Sequence, residues 1–169
     1  VVILAVIAAG ALFQIFFGDK TVTGTVLVPV PVATIGSGED AIAVTASGAI
    51  VPWFPLPEEP ELPTLPLSGP PQGGRLAGPM LQQARILGAA PAALRPYLAS
   101  SYYGESGVDV ETTAGIELRF GDASQAAQKW RAAAAVLADP TITALDYVDL
   151  HAPGRPAYGG SGHTLPPPP

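Results

Sequence analysis

The first seventeen residues constrain this chain most. Val1 to Phe17 is apolar throughout except for Gln14. As a helix rising 1.5 Å per residue the run is about 26 Å long, the short end of a bilayer span. It has no polar face to turn to water, so such a helix belongs in lipid or in a deep core. Bulky Phe13, Phe16 and Phe17 stand where a cleaved signal peptide would carry small residues. The expectation is a single-pass transmembrane anchor over residues 1–18, truncated at its N-terminus because the chain opens on Val rather than Met. Residues 1–17 would then engage the lipid bilayer.

The remainder of the chain suits one globular unit with extras. The chain has 169 residues, of which only 13% are charged, about half the usual share. Twenty Pro and 19 Gly point to turns, edges and extended linkers. Net charge is −6 with no basic cluster, so the phosphate-neutralising material that nucleic-acid binding draws on is missing. There is no Cys, hence neither a disulfide framework nor a thiolate metal site.

Along the chain, residues 19–29 read as a juxtamembrane linker. Thr25 to Ile35 is β-branched, but Pro29 and Pro31 donate no ladder hydrogen bond, which predicts an edge strand or two short pieces. Ala41 to Thr45, a turn at Ala46-Ser47-Gly48 and Ala49 to Val51 read as a hairpin. Pro57, Pro60, Pro63 and Pro66 recur every third residue, the period of polyproline II. That segment is expected to lie extended over the domain by its leucines.

A helix is expected from Pro79 to Leu87, with Gly88 as its stop, and a second short one from Pro91 to Ala99. Val108 to Thr112 and Ile116 to Phe120 alternate around Thr113-Ala114-Gly115, the firmest hairpin pattern here. Asp122 is placed to cap a helix, with Gln125 as its capping-box partner. Ala127, Trp130, Ala134 and Leu137 would form the buried stripe, leaving Lys129 and Arg131 off it. Thr141 to Leu150 reads as a strand, Pro153-Gly154 as a turn, and Arg155 to Tyr158 as a last strand. Residues 161–169, ending in four prolines, read as a disordered tail. The fold class expected is α+β: a transmembrane helix, then a mostly antiparallel sheet with two or three helices packed on it.

Catalytic chemistry finds little support. His151 and Asp149 would share a strand face, but no Gly-x-Ser-x-Gly elbow exposes a nucleophile. His163 lies in a Gly/Ser stretch, without the closely spaced ligands that zinc requires. Glu58, Glu59 and Glu61 sit between prolines as a solvated acidic run. No catalytic residue, metal, cofactor or small-molecule substrate is expected. A final strand offers something else: an edge whose unpaired N–H and C=O groups invite a strand from a partner.

The order of elements near the C-terminus carries a resemblance. Gly115-Ile-Glu-Leu-Arg-Phe-Gly-Asp122, a helix containing Lys129, Tyr147-Val-Asp-Leu150 and Pro153-Gly-Arg-Pro156 succeed one another. Upstream lie Pro31-Val-Ala33, Ala43-Val-Thr-Ala-Ser-Gly48 and Leu65-Pro-Leu-Ser-Gly-Pro70. In this order they resemble the β-domain of the bacterial cell-division FtsQ (DivIB) family, across residues 30–160. Two departures stand out: Thr45 replaces the usual Asp of the family's hairpin, and the Leu-Pro stretch is one residue short. The resemblance implies a non-enzymatic divisome scaffold, single-pass in the plasma membrane, with its C-terminal domain outside the cytoplasm and at the septum. It implies FtsB/FtsL-like partners that add a strand at the last strand. Here that maps partner binding to Arg155, Pro156, Ala157, Tyr158 and Gly159, with Tyr147 and Asp149 alongside. Only 13 residues separate Phe17 from Pro31, too few for the family's POTRA domain, of which 19–29 would be a remnant. The competing expectation is a generic envelope protein with no division role.

Overall fold

The computed structural model describes residues 5–7, 10–17, 20–26, 29–36, 38–56, 62–67, 69 and 71–165. They fall into two units, Val1–Val30 and Pro31–Pro169.

The N-terminal unit corrects the first expectation. β1 (Ala5–Ile7), β2 (Gly10–Phe17) and β3 (Lys20–Val26) form an antiparallel sheet in the order β1-β2-β3. β2 and β3 pair from Ala11↔Val26 down to Phe17↔Lys20. Among the described residues, no helix is long and apolar enough to cross a membrane. Hydropathy alone misses that β-branched and aromatic residues favour strands, and that Thr21–Val26 supplies a complementary strand to pair with.

The second unit is built on one nine-stranded sheet. Its strands are β4 (Pro31–Ile35), β5 (Ile42–Thr45), β6 (Ile50–Val51), β7 (Thr64–Leu65), β8 (Leu98–Gly104), β9 (Gly107–Thr112), β10 (Glu117–Gly121), β11 (Ala144–Asp149) and β12 (Ala157–Thr164). The spatial order is β12-β11-β10-β9-β8-β7-β4-β5-β6. The sheet is mixed rather than mostly antiparallel, because β10–β11, β4–β7 and β7–β8 run parallel. The first of these arises from a β-α-β crossover through the second helix, a connection that parallel neighbours require.

Several local expectations are corrected with it. Thr25 to Ile35 does divide, its first two residues ending β3 and Pro31–Ile35 forming β4, but β4 is an interior strand, between β5 and β7, not an edge; Pro31 is its first residue, a position where a missing N–H is tolerated. Of the proline-periodic segment, residues 57–61 lie outside the described residues. Thr64–Leu65, instead of lying over the domain, slots into the sheet as β7. The second short helix is a 3-10 turn at Arg95–Tyr97 that leads into β8, a strand with little apolar alternation to announce it. Residues 161–164, expected in a disordered tail, extend β12; residues 166–169 lie outside the described residues.

Two α-helices, α1 (Gly78–Gly88) and α2 (Ala126–Leu137), complete the core. Ala84, Ile86 and Leu87 of α1 and Trp130, Ala133 and Val136 of α2 share one cluster with Val108, Val110, Leu118, Phe120, Val148 and Leu150 of the sheet region. The Trp130 ring packs 4.8 Å from Phe120, centroid to centroid, and its indole N–H donates to Ile86 O at 2.7 Å, joining the two helices. The α2 stripe is turned from the one expected: Lys129, Trp130, Ala133 and Val136 face inward. Lys129 is buried because all three of its protons are used, by Phe120 O (2.8 Å), Asp122 O (3.0 Å) and Asp122 Oδ1 (2.9 Å). Asp122 does not cap α2. It closes a turn on Ser124, and Gln125 precedes the helix in a left-handed conformation, φ 52°, without a side-chain cap.

Candidate functional site: an open sheet edge and its polar face

The sheet has two faces of opposite character. Leu118, Val148, Val110 and their neighbours turn to the helices. The alternate residues turn the other way, and register stacks them across five strands. Tyr102 on β8 stands opposite Asp109 on β9, Asp109 opposite Arg119 on β10, and Arg119 opposite Asp149 on β11. Glu117 stands opposite Tyr147, which in turn faces Gly159 on β12, while Asp149 faces Ala157.

These side chains form a connected layer. The Tyr102 hydroxyl donates to Glu117 Oε2 at 2.7 Å, and Arg119 Nε donates to Glu117 Oε1. The Arg119 guanidinium lies 4.3 Å from the Tyr147 ring centroid, a cation–π contact. The hydrogen bond from Tyr102, then that from Arg119, holds the Glu117 carboxyl below its ordinary value. Burial, then the bond to Glu117, raises the Tyr102 phenol. Asp109 lies beneath this layer, 7% exposed, with Oδ1 lacking any hydrogen-bond partner. Burial foremost, then the Glu117 charge, pushes its carboxyl up.

His151 comes just after β11 and closes the layer at one end. Its Nδ1 lies 2.7 Å from Asp149 Oδ1 and its Nε2 lies 3.1 Å from the Ser106 carbonyl oxygen. Both partners can only accept, so both ring nitrogens donate and the imidazolium is favoured. The bond to Asp149, then the one to Ser106, raises the His151 pKa. For Asp149 burial pulls upward, but the hydrogen bonds from His151 outweigh it and the net shift is down. A histidine with both nitrogens donating has no lone pair with which to take a proton from a serine, so this pair is not two-thirds of a hydrolytic triad.

Two shallow clefts open at the C-terminal ends of β10 and β11. One, of about 710 Å³, runs between Gln125, Gln128 and Arg131 on α2 and the Ala152–Gly154 turn. The other, of about 370 Å³, includes Asp122, Lys129 and His151, and two of these, Asp122 and His151, have shifted pKa values. Their shifts have structural causes. Asp122 is held down to about 2 by its Ser124 hydrogen bond, then by Lys129. His163 is far along β12 from His151, with its ring against Gly115.

The partner-binding residues read from sequence are brought together in part. Ala157, Tyr158 and Gly159 begin β12 and pair with Asp149, Val148 and Tyr147. Arg155 and Pro156 precede the strand. β12 is an edge of the sheet, and among the described residues it pairs with β11 alone. Its eight residues carry no Asp, Glu, Lys, Arg or Pro, the usual guards of an edge. Sequence reasoning misses the second half of the strand because its glycines look like linker. Opposite Asp146, three residues (160–162) stand against one, a bulge in which the Gly162 N–H donates to Asp146 Oδ1 at 2.6 Å. It also misses Arg119 and Tyr102, whose alternation with Leu118 and Ser101 is the available signal.

No protein-family model matches the chain, and no curated protein matches it either. The fold and edge define a class in physical terms: a mixed α/β sheet unit that ends in an uncharged edge strand, bulged in its second half.

Proposed function

We propose that this chain is a non-enzymatic scaffold that takes up an extended segment of a partner as a tenth strand along β12. The observation that carries the reading is the edge itself, eight residues long, uncharged, with Tyr158 49% exposed on it. Main-chain hydrogen bonds would supply affinity and the side chains of alternate residues selectivity. The resemblance to FtsQ makes the expected partner an FtsB/FtsL-type protein, and the expected setting the outer side of the plasma membrane at the bacterial division septum.

Binding of an FtsB-type segment to the tagged full chain, measured by titration, tests the reading. Tyr158→Asp places a charge at an exposed position of the edge strand, and deletion of residues 155–169 removes the strand. Both are expected to abolish binding, whereas unchanged affinity in Tyr158→Asp overturns strand addition at β12. Imaging the chain in dividing cells tests the setting: a midcell band is expected, and a uniform envelope signal removes the division role.

A further inference from the structure

We propose that Arg119 and Tyr147 form a carboxylate-reading subsite beside the open edge, so that the strand taken up along β12 carries Asp or Glu where it faces Gly159 on the helix-free face. The inference rests on the strand-addition reading and adds the chemistry of the partner. It begins with Gly159. A Cβ there would lie 3.2 Å from Tyr147 Oη and 3.4 Å from Tyr147 Cε1, so the ring reaches from β11 across the backbone of β12 toward the edge. Arg119 makes the same move one strand further in, leaning from β10 over the Tyr147 ring.

Both groups arrive with donors to spare. Arg119 binds Glu117 through Nε, which leaves its two terminal nitrogens without a partner among the described residues, on a side chain 40% exposed. The Tyr147 hydroxyl likewise has no hydrogen-bond partner among the described residues, and the Arg119 cation lies 4.3 Å from its ring centroid. Strands are spaced about 4.8 Å apart, so an added strand lies about 10 Å from β11. A side chain crossing Gly159 meets no Cβ on the way, and a Glu carboxylate bridges that gap to the hydroxyl.

The surrounding carboxylates are engaged: the nearest to the edge, Asp146, lies against Gly160 and accepts from the Gly162 N–H. Glu117 is already engaged by Arg119 and Tyr102, and Asp149 by His151. Asp109 is buried beneath, and Glu111 lies on β9, three strands in from the edge. An incoming Lys would confront the unpaired end of Arg119, whereas a carboxylate accepts from it and from Tyr147, a charge-assisted arrangement.

The test fuses a Thr/Val host strand after Pro169 through a flexible Gly/Ser linker, which raises its effective concentration at the edge. A single guest position, Glu, Gln or Lys, is set on either parity of the host strand. Amide exchange of β12 reads docking, and exchange of β9 reports the integrity of the fold. With the guest on the helix-free face, Glu is expected to protect β12 about tenfold more than Lys, with Gln between. On the other parity the three are expected to be equal. Tyr147→Phe and Arg119→Gln should each shrink the Glu-over-Lys preference while β9 stays protected. Equal protection by Glu and Lys on the helix-free face overturns the subsite and leaves strand addition standing. No protection of β12 with any guest overturns strand addition itself, and the subsite with it.

Discussion

The two edges of the nine-stranded sheet are built in opposite ways. β6 has two residues, and its Ile50 N–H is already used by the Gly74 carbonyl, while the adjoining Ala49 bridges to Arg75. Gly48, just before it, packs so closely on Leu76 and Leu81 that a Cβ there would meet Leu81 Cδ1 at 2.8 Å. That edge is sealed by the chain's own backbone. β12 is eight residues long and pairs on one side only among the described residues. One edge is closed by a loop; the other is uncharged and has only the bulge at residues 160–162 to blunt it. The difference leaves β12, among the described residues, as the edge with backbone groups still to pair.

The comparison breaks most completely if both edges are shaken at once. Trp130 is fully buried, packs at a tilt against Phe120 and ties α2 to α1 through Ile86 O. Trp130→Ala is expected to cost about 3–5 kcal/mol in denaturant unfolding, with protection lost at β6 and β12 alike. Lys129→Ala removes the donor for two backbone carbonyls at the end of β10. Leaving them bare is expected to cost about 2–3 kcal/mol, felt more on the β12 side than at β6. A Lys129→Ala protein as stable as the parent would mean that those carbonyls find water.

A smaller change separates the edges. Gly160 has φ 91°, and a Cβ on it would stand 2.2 Å from the Asp146 carboxyl carbon. Gly160→Ala is expected to strain the bulge by about 1–3 kcal/mol, loosening residues 160–164 while β6 exchange stays unchanged. Equal loss at both edges would show that the bulge supports the whole sheet rather than shaping one strand.

Legibility in the sequence depends on which signals are local. The β9–β10 hairpin announces itself because Val108, Val110, Leu118 and Phe120 alternate around a turn, and α1 because Pro79 and Gly88 bracket it. β12 is visible only as far as Tyr158, since a strand with three glycines among its eight residues has no side-chain period to read. The anchor expected over Val1–Phe17 fails for a related reason. Hydrophobicity is a property of one segment, whereas the β2–β3 pairing depends on a second segment that complements it. Lys129 reads as solvent-facing because a buried lysine is explained by three oxygens from Phe120 and Asp122, whose meeting is a tertiary fact. The polar layer is half legible: Glu117 and Arg119 alternate with the core residues, but nothing in their spacing tells that Arg119 leans over Tyr147.

The Asp149–His151 pair, next to the start of β12, sharpens the comparison through pH. His151 is raised from its ordinary 6.5, so its contribution is full below that value and fades as pH rises through the raised one. Asp149 is lowered from 3.8, so its contribution is full above that value and fades as pH falls through the lowered one. The turn before β12 should therefore be tightest between about 4 and 6.5 and loosen on either side. Exchange of residues 151–157 is expected to track that window, and His151→Gln to flatten its alkaline limb, with β6 insensitive throughout.

Asp109 gives the smallest effect and the opposite sign. Its Oδ1 is buried with no partner, so ionisation there is opposed chiefly by burial and then by Glu117, with Arg119 the main group favouring it. A carboxyl whose value rises on folding destabilises the folded state once pH exceeds its unfolded value, because folding then works against the charge. Asp109→Asn removes that charge and keeps the shape. It is expected to raise stability at pH 7 by about 1 kcal/mol, with the gain shrinking to nothing as pH falls below about 4. The result also bears on the edge. Asp109 stands opposite Arg119, so an ionised Asp109 draws the guanidinium inward, away from Tyr147. If Asp109→Asn instead destabilises at neutral pH, the carboxylate is anchoring Arg119, and the polar layer is held from below rather than by Glu117.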